Sequence, residues 1–160
     1  MITTRKAELQ DAALISEIQR LSWYDTYHGI IDEVFLERFR ESDRTEQWKK
    51  EIAGGDNNLL ILCYEDRAVG FASWGEMREA DLPYPYELYA FYVLKDYRGL
   101  GLGTVAVEEI KKGIDSLPLF VWVLEGNPSM SFYHKRGKQL DYSREITIGG
   151  RSYKEVSFEL

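Results

Sequence analysis

Apolar residues recur at helical spacing early in the chain and at strand spacing later. Leu14, Ile15, Ile18 and Leu21 share one helical face and predict a first helix from about Leu9 to Leu21. The aromatic-rich passage "SWYDTYHGII" follows it. "IDEVFLERF" and "SDRTEQWKKEI" read as further helical pieces, with Ser42 ahead of charged residues as a helix start. "GGDNN" then ends the helical half. From Leu59 the period shortens. "LLILCYEDRAVGFASW" predicts two strands joined by a short turn at Glu65–Asp66–Arg67, "DLPYPY" a proline-broken loop, and "ELYAFYVL" a third strand. "GTVAVEEIKKGI" predicts a helix, and "LPLFVWVLEG" a strand apolar enough to be buried on both faces. In "NPSMSFYHKRG" an asparagine N-cap, a proline at the first helical position and a glycine past the end predict a short helix. "EITIGGRSYKEVSFEL" closes the chain as a hairpin through Gly149–Gly150.

The second half therefore reads β-β-β-α-β-α-β-β. Its strand–helix–strand part must pair parallel and its hairpins antiparallel, which gives a mixed sheet with helices on its faces, an α+β fold of the α/β-sandwich kind. At 160 residues the chain suits a single domain spanning 1–160, with no repeat, linker or low-complexity tract to divide it.

Composition narrows the function classes. With 44% hydrophobic and 29% charged residues, the chain is far from the profile of a disordered one. A net charge of −7 and a pI of about 5.0 argue against nucleic acid as a partner and mildly favour cationic substrates. No stretch approaches the roughly 18 apolar residues of a membrane span, and "MITTRKAELQ" lacks an apolar signal core. A lone cysteine, Cys63, excludes an intrachain disulfide and a cysteine metal cluster, and its apolar strand makes it core. His28 and His134 stand far apart without ligand spacing around them, so no metal site is expected. The expected compartment is the cytoplasm.

The densest chemical signal is "YRGLGLGTVAVEEIKK", where Gly99, Gly101 and Gly103 alternate just before a helix. A helix N-terminus carries unsatisfied N–H groups and positive partial charge. Glycines let those groups converge on an anion without side chains in the way, and a pyrophosphate suits such a nest. Arg98 adds a positive charge at the same mouth. A Walker loop fails, because Thr104 follows Gly103 directly and no lysine is present. A dinucleotide loop requires glycine where Thr104 stands, although Glu125 lies at a suitable distance for a ribose contact. That fold also opens with its motif, whereas the first half here is helical. A glycine-rich turn without a ligand is the bland alternative.

These residues resemble the GNAT superfamily of N-acetyltransferases. The family's acetyl-CoA loop follows Q/R-x-x-G-x-G/A, and Arg98-Gly99-Leu100-Gly101-Leu102-Gly103 fits it. "FYVLKDY" looks like the end of the family's fourth strand, with Asp96 where many members carry proline. "VLEGNPSMSFYHKRG" looks like its fifth strand and following helix, which matches Asn127 and Tyr133 to the family's pattern. Lys138 departs from the phenylalanine that many members place after the glycine. The resemblance covers nearly the whole chain and is most specific from Glu87 to Gly137. It implies the order β-α-α-β-β-β-α-β-α-β-β with a mostly antiparallel sheet. It also implies acetyl transfer from acetyl-CoA, as co-substrate without a metal, to a primary amine of a small molecule or peptide by direct attack. The cofactor residues it implies are Tyr92 and Val93, the loop Arg98, Gly99, Leu100, Gly101, Leu102, Gly103 and Thr104, and then Asn127 and Tyr133. "WYDTYHGII" loosely resembles members that acetylate polyamines or other small amines.

Roles follow from residue chemistry. An alkyl ammonium with a pKa around 10.4 must lose a proton before it can attack. Glu87 matches the general base of some members, and Tyr89, two residues on and so on the same strand face, is the backup; the bland reading of Glu87 is a polar strand-edge residue. The family points to Val93 for holding the oxyanion through backbone N–H. Tyr133 is expected to protonate the leaving thiolate, its alternative being a core aromatic beside Phe132. Asn127 is expected to cap its helix and touch the pantetheine arm. Trp23, Tyr24 and Tyr27 occupy the segment that lines the acceptor pocket in similar proteins. Those three either cage a cation or glue the helices to the sheet, and the substrate-side candidates are Trp23, Tyr27 and, from the strand, Tyr89. A competing class is a non-catalytic acyl-CoA-binding sensor or interaction module. The acceptor, the acyl length and a possible homodimer through "DLPYPYELY" stay open.

Overall fold

The computed structural model describes residues 1–55 and 58–160, so the middle of the expected "GGDNN" break lies outside the described residues. The chain opens with strand β1 (Ile2–Lys6), implied by the family order and not by any local periodicity, and a single 3-10 turn at Leu9–Asp11. Helix α1 (Ala12–Tyr27) runs well past Leu21 through most of the aromatic passage. Its buried stripe continues through Ser22 and Thr26, small hydroxyl residues at helical spacing from Ile15 and Ile18, which a search for apolar side chains passes over. Two further helices follow, α2 (Glu33–Glu41) and α3 (Thr45–Gly54), so the segment the family order counts as two helices is three. Asp32 caps α2 by accepting the Phe35 N–H at 3.0 Å. Ser42 starts no helix. It ends α2, its hydroxyl donating to the Phe39 carbonyl at 2.6 Å, and Asp43 instead receives the Thr45 N–H at the start of α3.

The second half supplies β2 (Asn58–Tyr64), β3 (Arg67–Glu76), β4 (Tyr86–Val93), helix α4 (Leu102–Gly113), β5 (Leu119–Leu124), helix α5 (Met130–Arg136), β6 (Lys138–Ile148) and β7 (Arg151–Glu159). The seven strands pair in the order β1-β2-β3-β4-β5-β7-β6. All pairs are antiparallel except β4 with β5, the two strands that flank α4. The mixed α/β sandwich read from the sequence is thus the observed fold. Strand β6 begins at Lys138, earlier than expected, because it is a largely exposed edge strand whose polar first half carries no alternation.

Alternation along β2 separates the two layers. Ile61 and Cys63 join Phe71, Ile15 and Ile18 on the face covered by α1 and α3. Leu62 joins Val69, Leu102 and Ala106 on the face covered by α4. Ile110, Val121, Tyr133 and Phe158 extend that second layer under α4 and α5. Gly137 ends α5 for a reason of space and not of left-handed capping. Its φ is −156°, and a Cβ there would lie 1.9 Å from the Glu159 carbonyl oxygen. Among the described residues no helix is long and apolar enough to cross a membrane.

Candidate active site

Strands β4 and β5 are hydrogen-bonded only over Tyr86–Leu88 and Leu119–Val121. Past Leu88 they part, and a cavity of about 500 Å³ opens between their C-terminal halves. The split has a local cause. The β3–β4 register jumps from Trp74↔Leu88 to Ser73↔Ala90, leaving Tyr89 as an extra residue in β4. Such a bulge bends the strand that carries it. Tyr89 lies against Gly75, where a Cβ would come within 2.7 Å of the phenol oxygen, and its hydroxyl donates to the Glu76 carbonyl. It borders the cavity with that hydroxyl already engaged.

The glycine loop forms one end of this cavity. Gly99 and Gly101 have φ of +78° and +96°, the left-handed region that favours glycine, and Gly101 is the N-cap of α4. The N–H groups of Leu102, Gly103 and Thr104 in the first turn have no acceptor within the helix. Gly103 serves a different purpose. A Cβ there would stand 2.7 Å from Phe132 Cε1, so its bareness lets α4 and α5 approach. Leu100 is exposed and stands outside the lining. Arg98 donates from Nε to the Val93 carbonyl at 3.0 Å and from Nη2 to Thr26 Oγ1 at 3.0 Å, tying the end of β4 to α1, and desolvation pulls its pKa down. Arg136, in the last turn of α5, donates to Thr104 Oγ1 and brings a second cation to the same end. Its helix was legible in the sequence; its approach to α4 was not.

The Leu94 N–H bonds the Val69 carbonyl on the β3 side at 2.8 Å. Successive strand N–H groups point to opposite sides, so the Val93 N–H faces the gap left by β5. Tyr133 lines the cavity from α5, buried between Phe132 and Phe158. Burial drives its phenol far above the ordinary tyrosine value. Phe132 lines the same cavity, so neither member of the pair is purely core. Asn127 is not the N-cap of α5, which is Ser129. Instead its Oδ1 accepts the Ser129 N–H at 2.7 Å, while its Nδ2 donates to the Tyr27 hydroxyl at 3.4 Å across the cavity wall. Burial also raises Tyr27, and it lifts Tyr92 to about 12. Trp23 packs edge-on to Tyr27 and donates its indole N–H to the Tyr92 hydroxyl at 2.7 Å, so it joins α1 to β4 as well as lining the cavity. Tyr24 is outside the lining, beneath the Arg40 guanidinium.

Glu87 does not reach the cavity. It is buried on the paired part of β4, where its two oxygens accept from Arg78 at 2.7 and 3.1 Å. Its carboxylate is thus committed to Arg78 and is not part of the cavity lining. A different carboxylate faces the cavity, Glu155 on β7. No local motif marks it; the pairing of β7 with β5, Glu155 opposite Leu124, brings it there. Among the described residues no group of three or more His, Cys, Asp or Glu is placed to hold a metal ion.

A split parallel strand pair thus ends at a glycine-rich helix N-terminus, with a buried tyrosine facing the gap. The chain belongs to the acetyltransferase (GNAT) family, whose profile matches residues 17–137. It is 32% identical to the uncharacterised N-acetyltransferase YuaI of Bacillus subtilis, over 98% of this chain and 91% of that protein. It is 29% identical to a spermidine N(1)-acetyltransferase of Thermoplasma acidophilum, over 99% of this chain and 98% of the relative. The crystal structure of the PaiA N-acetyltransferase of T. acidophilum, in complex with coenzyme A, superposes with a TM-score of 0.72 at 27% identity, covering 97% and 98% of the two chains. A GCN5-related N-acetyltransferase from Rhodopseudomonas palustris shares the fold, with a TM-score of 0.74 at 22% identity over 98% and 93%.

Proposed function

We propose that the cavity binds acetyl-CoA and passes its acetyl group to a primary amine by direct attack. The observation that carries this reading is the gap between β4 and β5, which ends at the unsatisfied N-terminus of α4 and is faced by Tyr133. Family membership and the coenzyme A complex of the T. acidophilum relative support it. Acetyl-CoA supplies an activated thioester. In this reading the N–H groups from Gly101 to Thr104 hold its pyrophosphate, with Arg98 and Arg136 adding positive charge. The Val93 N–H, pointing into the gap, stabilises charge that develops on the carbonyl oxygen during attack. The ammonium first releases a proton to solvent; after attack Tyr133, kept protonated by its burial, gives its proton to the departing sulfur and is reprotonated by the one the attacking nitrogen sheds. Asn127 and Tyr27 shape the wall between the two substrates.

The test is calorimetric titration with acetyl-CoA, with NAD and ATP alongside, followed by a free-thiol assay on a panel of amines. Selective acetyl-CoA binding with amine-dependent thiol release is the expected result. Binding without release on any amine supports the non-catalytic acyl-CoA sensor, and a preference for NAD overturns the cofactor.

A further inference from the structure

We propose that Glu155 is the carboxylate that recognises the acceptor, and that the acceptor is an alkylamine bound as its ammonium, with no acidic group beside the amine. The inference rests on reading the cavity as an acetyl-transfer site. Among the described residues that line the cavity, Glu155 is the one carboxylate and Arg98 the one permanent cation. They sit on opposite walls of the gap. Arg98 stands beyond the end of β4, beside the helix N-terminus that suits an anion. Glu155 stands on the β5 side, opposite Leu124. The cavity therefore has an anion-accepting end and a cation-accepting wall.

The Glu155 carboxylate is held but not neutralised. Arg144 Nε donates to Oε1 at 2.7 Å, and among the described residues no hydrogen bond reaches Oε2. Arg144 is itself shared, bonded also to Glu79 and stacked 4.4 Å from the Trp122 ring. Two carboxylates around one guanidinium leave a net negative charge at this wall. Trp122 in turn donates its indole N–H to Glu79 at 2.9 Å, which fixes the whole arrangement against β5. The Glu155 side chain is only 14% exposed, so most of it is withdrawn from bulk water. A largely buried carboxylate in a cavity lined by aromatic rings favours an ammonium and opposes a second carboxylate. The chain's net charge of −7 attracts the same class of substrate from a distance.

Steady-state kinetics with acetyl-CoA on wild type, E155Q and E155D test this. The acceptors are 1,4-diaminobutane, which is cationic at neutral pH, and aniline, which is not. Acetyl-CoA binding is followed in parallel by calorimetry. E155Q is expected to raise the KM for 1,4-diaminobutane about ten- to a hundredfold, the worth of one hydrogen bond to a charged group. The KM for aniline and the affinity for acetyl-CoA should hold, and E155D should recover part of the loss. An unchanged KM for the diamine in E155Q, or an equal rise for aniline, overturns the assignment. Wild-type protein that binds acetyl-CoA but acetylates no cationic amine overturns it too, while leaving the cofactor reading intact. Wild-type protein that does not bind acetyl-CoA removes the reading on which it rests. Should E155Q fail to fold, E155D decides: a raised diamine KM with the aniline KM unchanged supports the proposal, and an equal rise for both amines, or none for the diamine, overturns it.

Discussion

Glu87 and Arg78 are joined by three hydrogen bonds. Arg78 donates from Nη2 to Oε2 at 2.7 Å, from Nε to Oε1 at 3.1 Å, and from its backbone N–H to Oε1 at 3.2 Å. The same guanidinium lies 4.2 Å from the centre of the Tyr89 ring, so the pair braces the bulge at which β4 leaves β5. Neither side chain of the pair lines the cavity. Glu87→Gln should then act on stability, lowering it by about 1–3 kcal/mol through the loss of bonds to a charged group. The pH–rate profile of the variant should keep the shape of the wild type. Thermal unfolding and initial rates across pH check both halves, and loss of the acid limb in the variant would return Glu87 to the role of base.

Tyr133 combines cavity access with a phenol held far above its usual pKa by burial. A raised folded-state pKa means the protonated form persists to higher pH. Ionisation of Tyr133 should therefore contribute no fall in rate below about pH 10, the ordinary tyrosine value. Tyr133→Phe removes the donor while keeping the ring between Phe132 and Phe158. Turnover should fall roughly 10²–10⁴-fold, the usual worth of a positioned acid, with acetyl-CoA affinity kept. Single-turnover rates and calorimetry on the variant separate the two effects, and unchanged turnover removes Tyr133 from the chemistry.

What the sequence disclosed and what it hid divide along a physical line. The glycine loop, the strand that feeds it and the Tyr133 helix follow from local spacing, and each was legible. The extension of α1 was hidden because Ser22 and Thr26 are buried without being apolar. The early part of β6 was hidden because an exposed edge strand need not alternate. The engagement of Glu87 was hidden for a different reason. Its strand and face were readable, but its partner arrives from Arg78 across the β3–β4 loop. Glu155 escaped because its position depends on β7 pairing with β5, a contact between strands separated by a helix and another strand. Periodicity finds elements; only their packing shows which side chains meet.

Gly103 offers a test of the α4–α5 contact apart from the anion nest. An added Cβ would come within 2.7 and 3.0 Å of two atoms of the Phe132 ring, which lies in the cavity wall. Gly103→Ala should force the ring or the helix to move, weakening acetyl-CoA binding and destabilising by about 1–3 kcal/mol, as overpacking does. Adding Phe132→Leu should recover much of the stability, because the clash is with the ring's outer edge. A double-mutant cycle by chemical denaturation measures this, and strict additivity would place the strain elsewhere.

Asp11 and Arg5 connect β1 to the start of α1, and so set the angle of the helix that carries Trp23 and Tyr27. Asp11 is buried, with both oxygens accepting from the Arg5 guanidinium at 2.8 and 2.9 Å and one also receiving the Glu8 N–H at 2.7 Å. The hydrogen bonds from Arg5 hold its pKa below the ordinary 3.8. A carboxylate whose folded pKa is depressed stabilises the fold above its unfolded pKa, and that contribution disappears as pH falls through the folded pKa. Arg5 is about half exposed, so the pair is partly screened and the expected loss in Asp11→Asn at pH 7 is about 1–2 kcal/mol. The gap between wild type and variant should stay constant down to about pH 5 and close as pH falls below the ordinary 3.8. Urea unfolding at a series of pH values from 7 to 3 reads it directly. A gap that persists at the acid end would mean that the variant fails through packing around α1 and not through the lost charge.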